Sequence, residues 1–266
     1  MKRYLALLRY LFSMHLTGLV LLTLCRIILY LQGFSLLADE PHWIRHSIQA
    51  FLRGIWMDNV IACYILIVPL IVTSVCASAG YYGKRLYRGI QAFFCLFYTV
   101  AFMIASGDIP YFDYFFKHLN ASIFNWAEYA GTTLGLMFGE FSYLMAVLLF
   151  VVMTLLYGIA ANSYLHTARR VFDRKTPNRW QSAAGIIGCS ALLIGGCLFG
   201  IRGRMGYNPI RVSAAYFCNN TFLNQLGVSS AFNLLKSAEE MQKAENREIH
   251  LMDDTDAIRY VLSLIH

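Results

Sequence analysis

Five apolar runs separated by shorter polar connections divide the 266-residue chain. They extend from about Leu5 to Leu31, Met57 to Ala79, Gly89 to Ser106, Ser142 to Leu165 and Ser182 to Ile201. A helix rises ~1.5 Å per residue, so roughly 20 apolar residues cross a bilayer core. The pattern predicts an all-α integral membrane protein with five transmembrane helices over residues 1–201. Pro69 falls inside the second run, where a membrane helix tolerates it. Between Gly107 and Phe141 the apolar pattern is broken by Asp108, Pro110, Asp113, Lys117, His118, Asn120, Asn125, Glu128 and Glu140. That stretch predicts short amphipathic helices lying at the interface.

Composition agrees with this class. Hydrophobic residues make up 58% and charged residues 14%, with a mean hydropathy of +0.52, outside the balance of a soluble domain. The net charge of +7 does not point to nucleic acid, because the basic residues cluster between the runs and act as topology signals. Lys2 and Arg3 precede the first run without a small-residue cleavage site, so that run is expected to stay as an anchor. Cys25, Cys63, Cys76, Cys95, Cys189 and Cys197 lie inside the runs as small hydrophobes, Cys218 lies outside them, and no spacing suggests a metal site.

Orientation follows from the short connections. With the N-terminus inside, eleven basic residues fall on the inner side: Lys2, Arg3, Arg9, Lys84, Arg85, Arg88, Arg169, Arg170, Arg174, Lys175 and Arg179. Only Arg45, Arg53 and Lys117 fall outside. The excess predicts N-in, and five spans then put the C-terminal stretch outside the cytoplasmic membrane. In the fifth run Ala191/Gly195 and Gly196/Gly200 are small residues four apart, which permits close helix approach; a position in the middle of the bundle is expected.

This orientation brings Arg26, Asp58, Asp108 and Arg202 to similar depth at the outer rim. Ionisable groups near hydrocarbon cost several kcal/mol unless paired or snorkelled. One reading is a helix-pairing bridge between Arg26 and Asp58, with Asp108 and Arg202 meeting interfacial water. The other is a polar pocket for an anionic lipid head group, which an arginine fork binds well. His15, inside the first run, reads as a helix-packing residue.

After the last run, Pro209 prevents the helix from continuing, and Gly203 and Gly206 loosen the chain around it. A helical pattern resumes at Arg211, with Val212, Ala215, Tyr216, Phe222, Leu223 and Leu226 on one face. Asn219 falls in the middle of that face and is expected to need a buried partner, whereas Asn220 and Asn224 lie off it. Beyond Gly227, Ser229 or Ser230 suits the cap of a second helix with Phe232 and Leu235 on its apolar side. Residues 202–237 are thus expected as surface helices. Residues 238–266 form a charged linker, with a helix restarting near Asp256 through Ile258, Val261, Leu262 and Ile265. Sequons at Asn120 and Asn219 are short enough to arise by chance.

Several of these features together resemble the membrane portion of the lipoteichoic acid synthase family, the phosphoglycerol transferases of the alkaline phosphatase/sulfatase superfamily. They are the five spans, Gly54 followed by Asp58, Asp108 with Tyr111-Phe112, Arg202-Gly203, Pro209, Asn224 and Phe232-Asn233-Leu234. The resemblance covers essentially the whole chain; its motifs are weak singly and moderately specific together. Arg204 stands where many members have a second glycine, which suggests a divergent branch. The resemblance implies a bacterial cytoplasmic-membrane enzyme with an extracytoplasmic catalytic domain C-terminal to the spans. There a threonine nucleophile beside a divalent metal, commonly manganese, takes phosphoglycerol from phosphatidylglycerol. No such machinery follows Ile201, so the chain is expected to be an anchor lacking its catalytic domain. Its partners would be that domain and anionic phospholipid, with Arg26, Asp58, Asp108, Arg202, Arg204, Arg211, Asn219, Asn220 and Asn224 as head-group or interface candidates. The alternatives are the anchor of a phosphoethanolamine transferase or sulfatase, or a non-enzymatic scaffold or transporter subunit. No inverted repeat or pair of broken helices favours a transporter.

Overall fold

The computed structural model describes residues 2–124, 140–172, 180–243 and 254–265. Its long helices are α1 (Lys2–Gln32), α2 (Trp43–Ser78), α3 (Lys84–Phe115), α4 (Phe141–Phe172) and α5 (Trp180–Arg202). All five are long and apolar enough to cross a membrane. Short helices α6 (Thr221–Leu226) and α7 (Ser230–Met241) follow, then α8 (Asp254–Ile265). The chain is an all-α membrane protein.

Two spans outrun their apolar cores. The 36 residues of α2 amount to about 54 Å at 1.5 Å per residue, so its first turns, from Trp43, project beyond a hydrocarbon layer of ~30 Å. The polar break expected after Ser106 is instead a continuation of α3 through Gly107 and Pro110 to Phe115. Phe116 ends it with a left-handed φ of 54°, its amide donating to the Phe112 carbonyl at 2.8 Å. The expected interfacial helices are therefore absent over 107–115, and residues 125–139 lie outside the described residues.

Large side chains join the bundle. The rings of Tyr98 on α3 and Tyr157 on α4 lie 4.8 Å apart with Phe102 beside them. Their hydroxyls donate to α1 carbonyls, Tyr98 to His15 at 3.4 Å and Tyr157 to Met14 at 3.3 Å. Buried phenols need such partners. His15 Nε2 and Asn59 Oδ1, 3.1 Å apart, pin α1 to α2, in agreement with a packing role. The centre of the bundle is α1 and α2, not α5. The last span lies along α2 and is the least buried, with 17% of its apolar window covered. Of Gly195, Gly196 and Gly200, only the last makes the close approach: a Cβ at Gly200 would fall 2.5 Å from Cys63 Sγ, while Gly195 and Gly196 face open space. Small residues permit contact but do not create it.

Candidate functional site

At the end of the bundle where α1, α3 and α5 finish, the segment after α5 folds back over the helix ends as a collar. Its path begins at Gly203, whose φ of +73° makes it the left-handed residue that terminates a helix. The Arg202 side chain then organises the loop, donating to the Gly206 and Tyr207 carbonyls at 2.6 Å each, and the Ile210 amide returns to the Arg202 carbonyl at 3.0 Å. The single helix expected from Arg211 is not formed. A 3-10 turn over Val212–Ala215 gives way to extended chain, and α6 starts only at Thr221. Three local polar groups take over the backbone here. Asn220 caps α6, accepting from the Leu223 amide at 3.0 Å. Asn224 Oδ1 accepts from the Phe217 amide at 2.9 Å, and its Nδ2 donates to the Cys218 carbonyl at 2.6 Å. Ser229 caps α7. Asn219, expected to be buried, is exposed, because the apolar face that would have enclosed it does not exist.

Beneath the collar sit the charges. Arg26 and Asp58, 7% and 3% exposed, form an ion pair of 2.6 Å between α1 and α2. The same guanidinium donates to the Leu226 carbonyl and, at 2.8 Å, to the Val228 carbonyl. The Leu226 carbonyl is the last of α6, where helix bonding leaves acceptors free, and Val228 lies in the link to α7. Asp108 does not meet water. It is 3% exposed and accepts from the Leu119 amide at 2.7 Å and from His118 Nδ1 at 2.5 Å. His118 Nε2 lies 2.8 Å from the Gln225 carbonyl. A carbonyl can only accept, so Nε2 carries a proton; with Asp108 ionised, Nδ1 carries one too, and the ring is a cation. Burial works against that charge, but Asp108 and the Gln225 carbonyl outweigh both burial and the nearby Arg26, holding the pKa of His118 above its usual value of 6.5.

Two cations and two anions are thus neutralised within one cluster lined by Arg26, Asp58, Asp108 and His118, around a cavity of about 30 Å³. That volume is water-sized. The four rim charges anticipated as one head-group pocket are divided: Arg26, Asp58 and Asp108 line this small cavity, Arg26 being held by Asp58 and two carbonyls while its Nε has no partner among the described residues, and Arg202 lies exposed on the collar loop. Arg204 and Arg211 are exposed as well. The cluster's chemistry is fastening.

Residues outside the candidate set read from the sequence complete the fastening. Asn233 donates to the Leu119 carbonyl at 2.8 Å, and Ser237 Oγ accepts from the Ala121 amide at 2.9 Å, sewing α7 to the segment after α3. Arg53 donates to the Ala214 carbonyl and lies 4.7 Å over the Phe217 ring. His118 was visible only as a polar residue ten positions after Asp108. Among the described residues no group of three or more His, Cys, Asp or Glu could hold a metal ion, so the divalent metal implied by the resemblance enters no step here.

A second feature opens sideways. Between α1, α2 and α5 runs a cleft of about 430 Å³, lined by Phe12, His15, Trp56, Asn59, Leu193 and Gly196 and reaching Gly203 beside the collar loop. It is mostly apolar and of a size for an acyl chain.

Neither family models, curated proteins nor solved structures give a match to this chain.

Proposed function

We propose that the chain is the membrane anchor and lipid-presenting domain of an extracytoplasmic phosphotransferase similar to the lipoteichoic acid synthases, which pass phosphoglycerol from phosphatidylglycerol to an acceptor. The observation that carries this reading is the double clamp of Arg26–Asp58 and Asp108–His118 on the three carbonyls Gln225, Leu226 and Val228. A chain that merely crossed a membrane would not need its exit segment fastened by four buried charges. Fixing the exit segment fixes where anything following α7 stands above the bilayer. The cleft ending at Gly203 supports lipid presentation, because an acyl chain lodged there brings its phosphate to the exposed Arg202 and Arg204. A non-enzymatic scaffold is the second reading, favoured by the same rigidity, since the cluster itself contains no reactive constellation.

The test has two arms. Reading the coding sequence past His266 should reveal a metal-binding aspartate soon followed by a threonine-centred motif; an immediate stop codon would leave the scaffold reading. In the natural protein, Arg204→Gln should slow turnover of phosphatidylglycerol in membranes, and unchanged turnover would remove that arginine from lipid presentation. Orientation is checked separately with a membrane-impermeant maleimide. Asn219→Cys should label in intact cells and Tyr81→Cys only after permeabilisation, and the reverse pattern would invert the topology.

A further inference from the structure

The opposite end of the bundle carries a polar groove that the anchor reading does not use. It lies on the seam between α1 and α4, has a volume of about 550 Å³, and is lined by Arg9, Tyr10, Ser13, Ser163, Tyr164 and Thr167. Arg9 has no hydrogen-bonding or acidic partner among the described residues and is exposed. Tyr10, 2% exposed, lines the groove with a buried hydroxyl that has no hydrogen-bond partner among the described residues. Tyr164 is held in place by Thr17, the two hydroxyls lying 3.1 Å apart.

Helix geometry sets the depth. Arg9 is seven residues from Lys2, roughly 10 Å along α1, the level at which phosphates and glycerols replace acyl chains. Among the described residues the charge at this end has one sign. Lys84, Arg85 and Arg88 at the start of α3 and Arg169 near the end of α4 are exposed on this side, and the described helix turns there contain no Asp or Glu. An exposed guanidinium beside the Ser13 and Ser163 hydroxyls, at an end of the bundle whose described charges are cationic, matches the phosphodiester of an anionic phospholipid. Basic pockets between spans bind such head groups, and the arginine fork gives two parallel donors to one phosphate.

We propose that this groove binds the head group of an anionic phospholipid in the leaflet at the N-terminal end of α1. The site is distinct from the collar and does not depend on the transferase reading, since binding here requires no turnover. It tethers α1 to α4 through a lipid, adding to the direct Thr17–Tyr164 and Tyr157–Met14 contacts.

The full chain, purified in detergent and delipidated, is titrated with phosphatidylglycerol, phosphatidylethanolamine or inorganic phosphate and read by native mass spectrometry. Wild type should retain phosphatidylglycerol over phosphatidylethanolamine. Arg9→Gln should lower phosphatidylglycerol retention by roughly tenfold, the scale of one charged hydrogen bond, while Arg45→Gln, exposed at the other end of the bundle, leaves this retention in place. Arg9 makes no hydrogen bond or ion pair among the described residues, so its variant should melt with wild type, and Ser163→Ala gives an independent, smaller loss. Equal retention in wild type and Arg9→Gln would overturn the site. So would equal retention of the two lipids, and displacement of phosphatidylglycerol by equimolar inorganic phosphate would refute a lipid ligand.

Discussion

Gly54 on α2 lies so close to the Arg26 guanidinium that a methyl group in its place would overlap the Cζ atom. The absence of a side chain at Gly54 is what lets a charged plane lie flat between two spans, reach Asp58 one turn along α2, and still extend to the ends of α6. A flexible arginine tip ordinarily yields to an added methyl. This one is held by a carboxylate and two carbonyls, so yielding means giving up buried partners.

Gly54→Ala should therefore cost about 3–5 kcal/mol, the scale of breaking a buried ion pair, although alanine is the better helix former. Thermal unfolding in detergent should show the loss, and residues 221–232 should lose amide-exchange protection. A variant as stable as wild type would show that Arg26 has another place to go.

Arg26→Gln and Asp58→Asn should each destabilise, and the double variant should fall short of their sum. Each single change leaves one buried charge unpaired, whereas the double change leaves none. Arg26→Gln also loses the two collar carbonyls, so it should be the more damaging single change. An additive cycle would mean that the pair is not coupled.

His118 makes the collar sensitive to pH. Its folded pKa is raised above 6.5, so the folded state binds the proton more tightly than the unfolded state. The stabilisation is complete below about pH 6.5 and is lost as pH rises through the folded value. The melting temperature of wild type should fall across that rise, and His118→Gln should flatten the fall while lowering the plateau on the acid side. A profile identical in the two proteins would remove His118 from the account.

The glycines of α5 should separate by contact rather than by motif. Gly200→Val drives a side chain into Cys63 on α2 and should destabilise by roughly 1–3 kcal/mol through overpacking. Gly195→Ala meets nothing and should be neutral or stabilising by up to about 1 kcal/mol from helix propensity. The two effects are read from melting curves of the single variants. Equal effects would mean that the α2–α5 contact contributes no specificity.

How much of the site was legible differs from residue to residue. Arg26 and Asp58 stand out because charge inside an apolar run is rare, and their pairing follows from the common depth of two antiparallel spans. Asp108 was visible as a charge, but its burial was not, since nothing local says that residues 117–121 fold back over it. Helical periodicity carried through Cys218 would bury Asn219, but the helix does not run through it. The side chains of Asn220 and Asn224 instead bond the nearby backbone and hold it extended, which no period of apolar residues reveals. Arg202 shares a depth with the cluster yet belongs to the loop that it organises.

The sequence by itself determined the membrane class, the five spans and a break after the last of them. These depend on local quantities: run length, the energetic cost of charge in hydrocarbon, and a proline that cannot continue a helix. Only the tertiary structure decided that Arg26, Asp58 and Asp108 fasten a collar. That outcome depends on carbonyls some 200 positions from Arg26, and on α1 and α2, not the glycine-rich α5, occupying the centre. Both are results of packing between distant segments, where the energy of a charge is set by what folds over it.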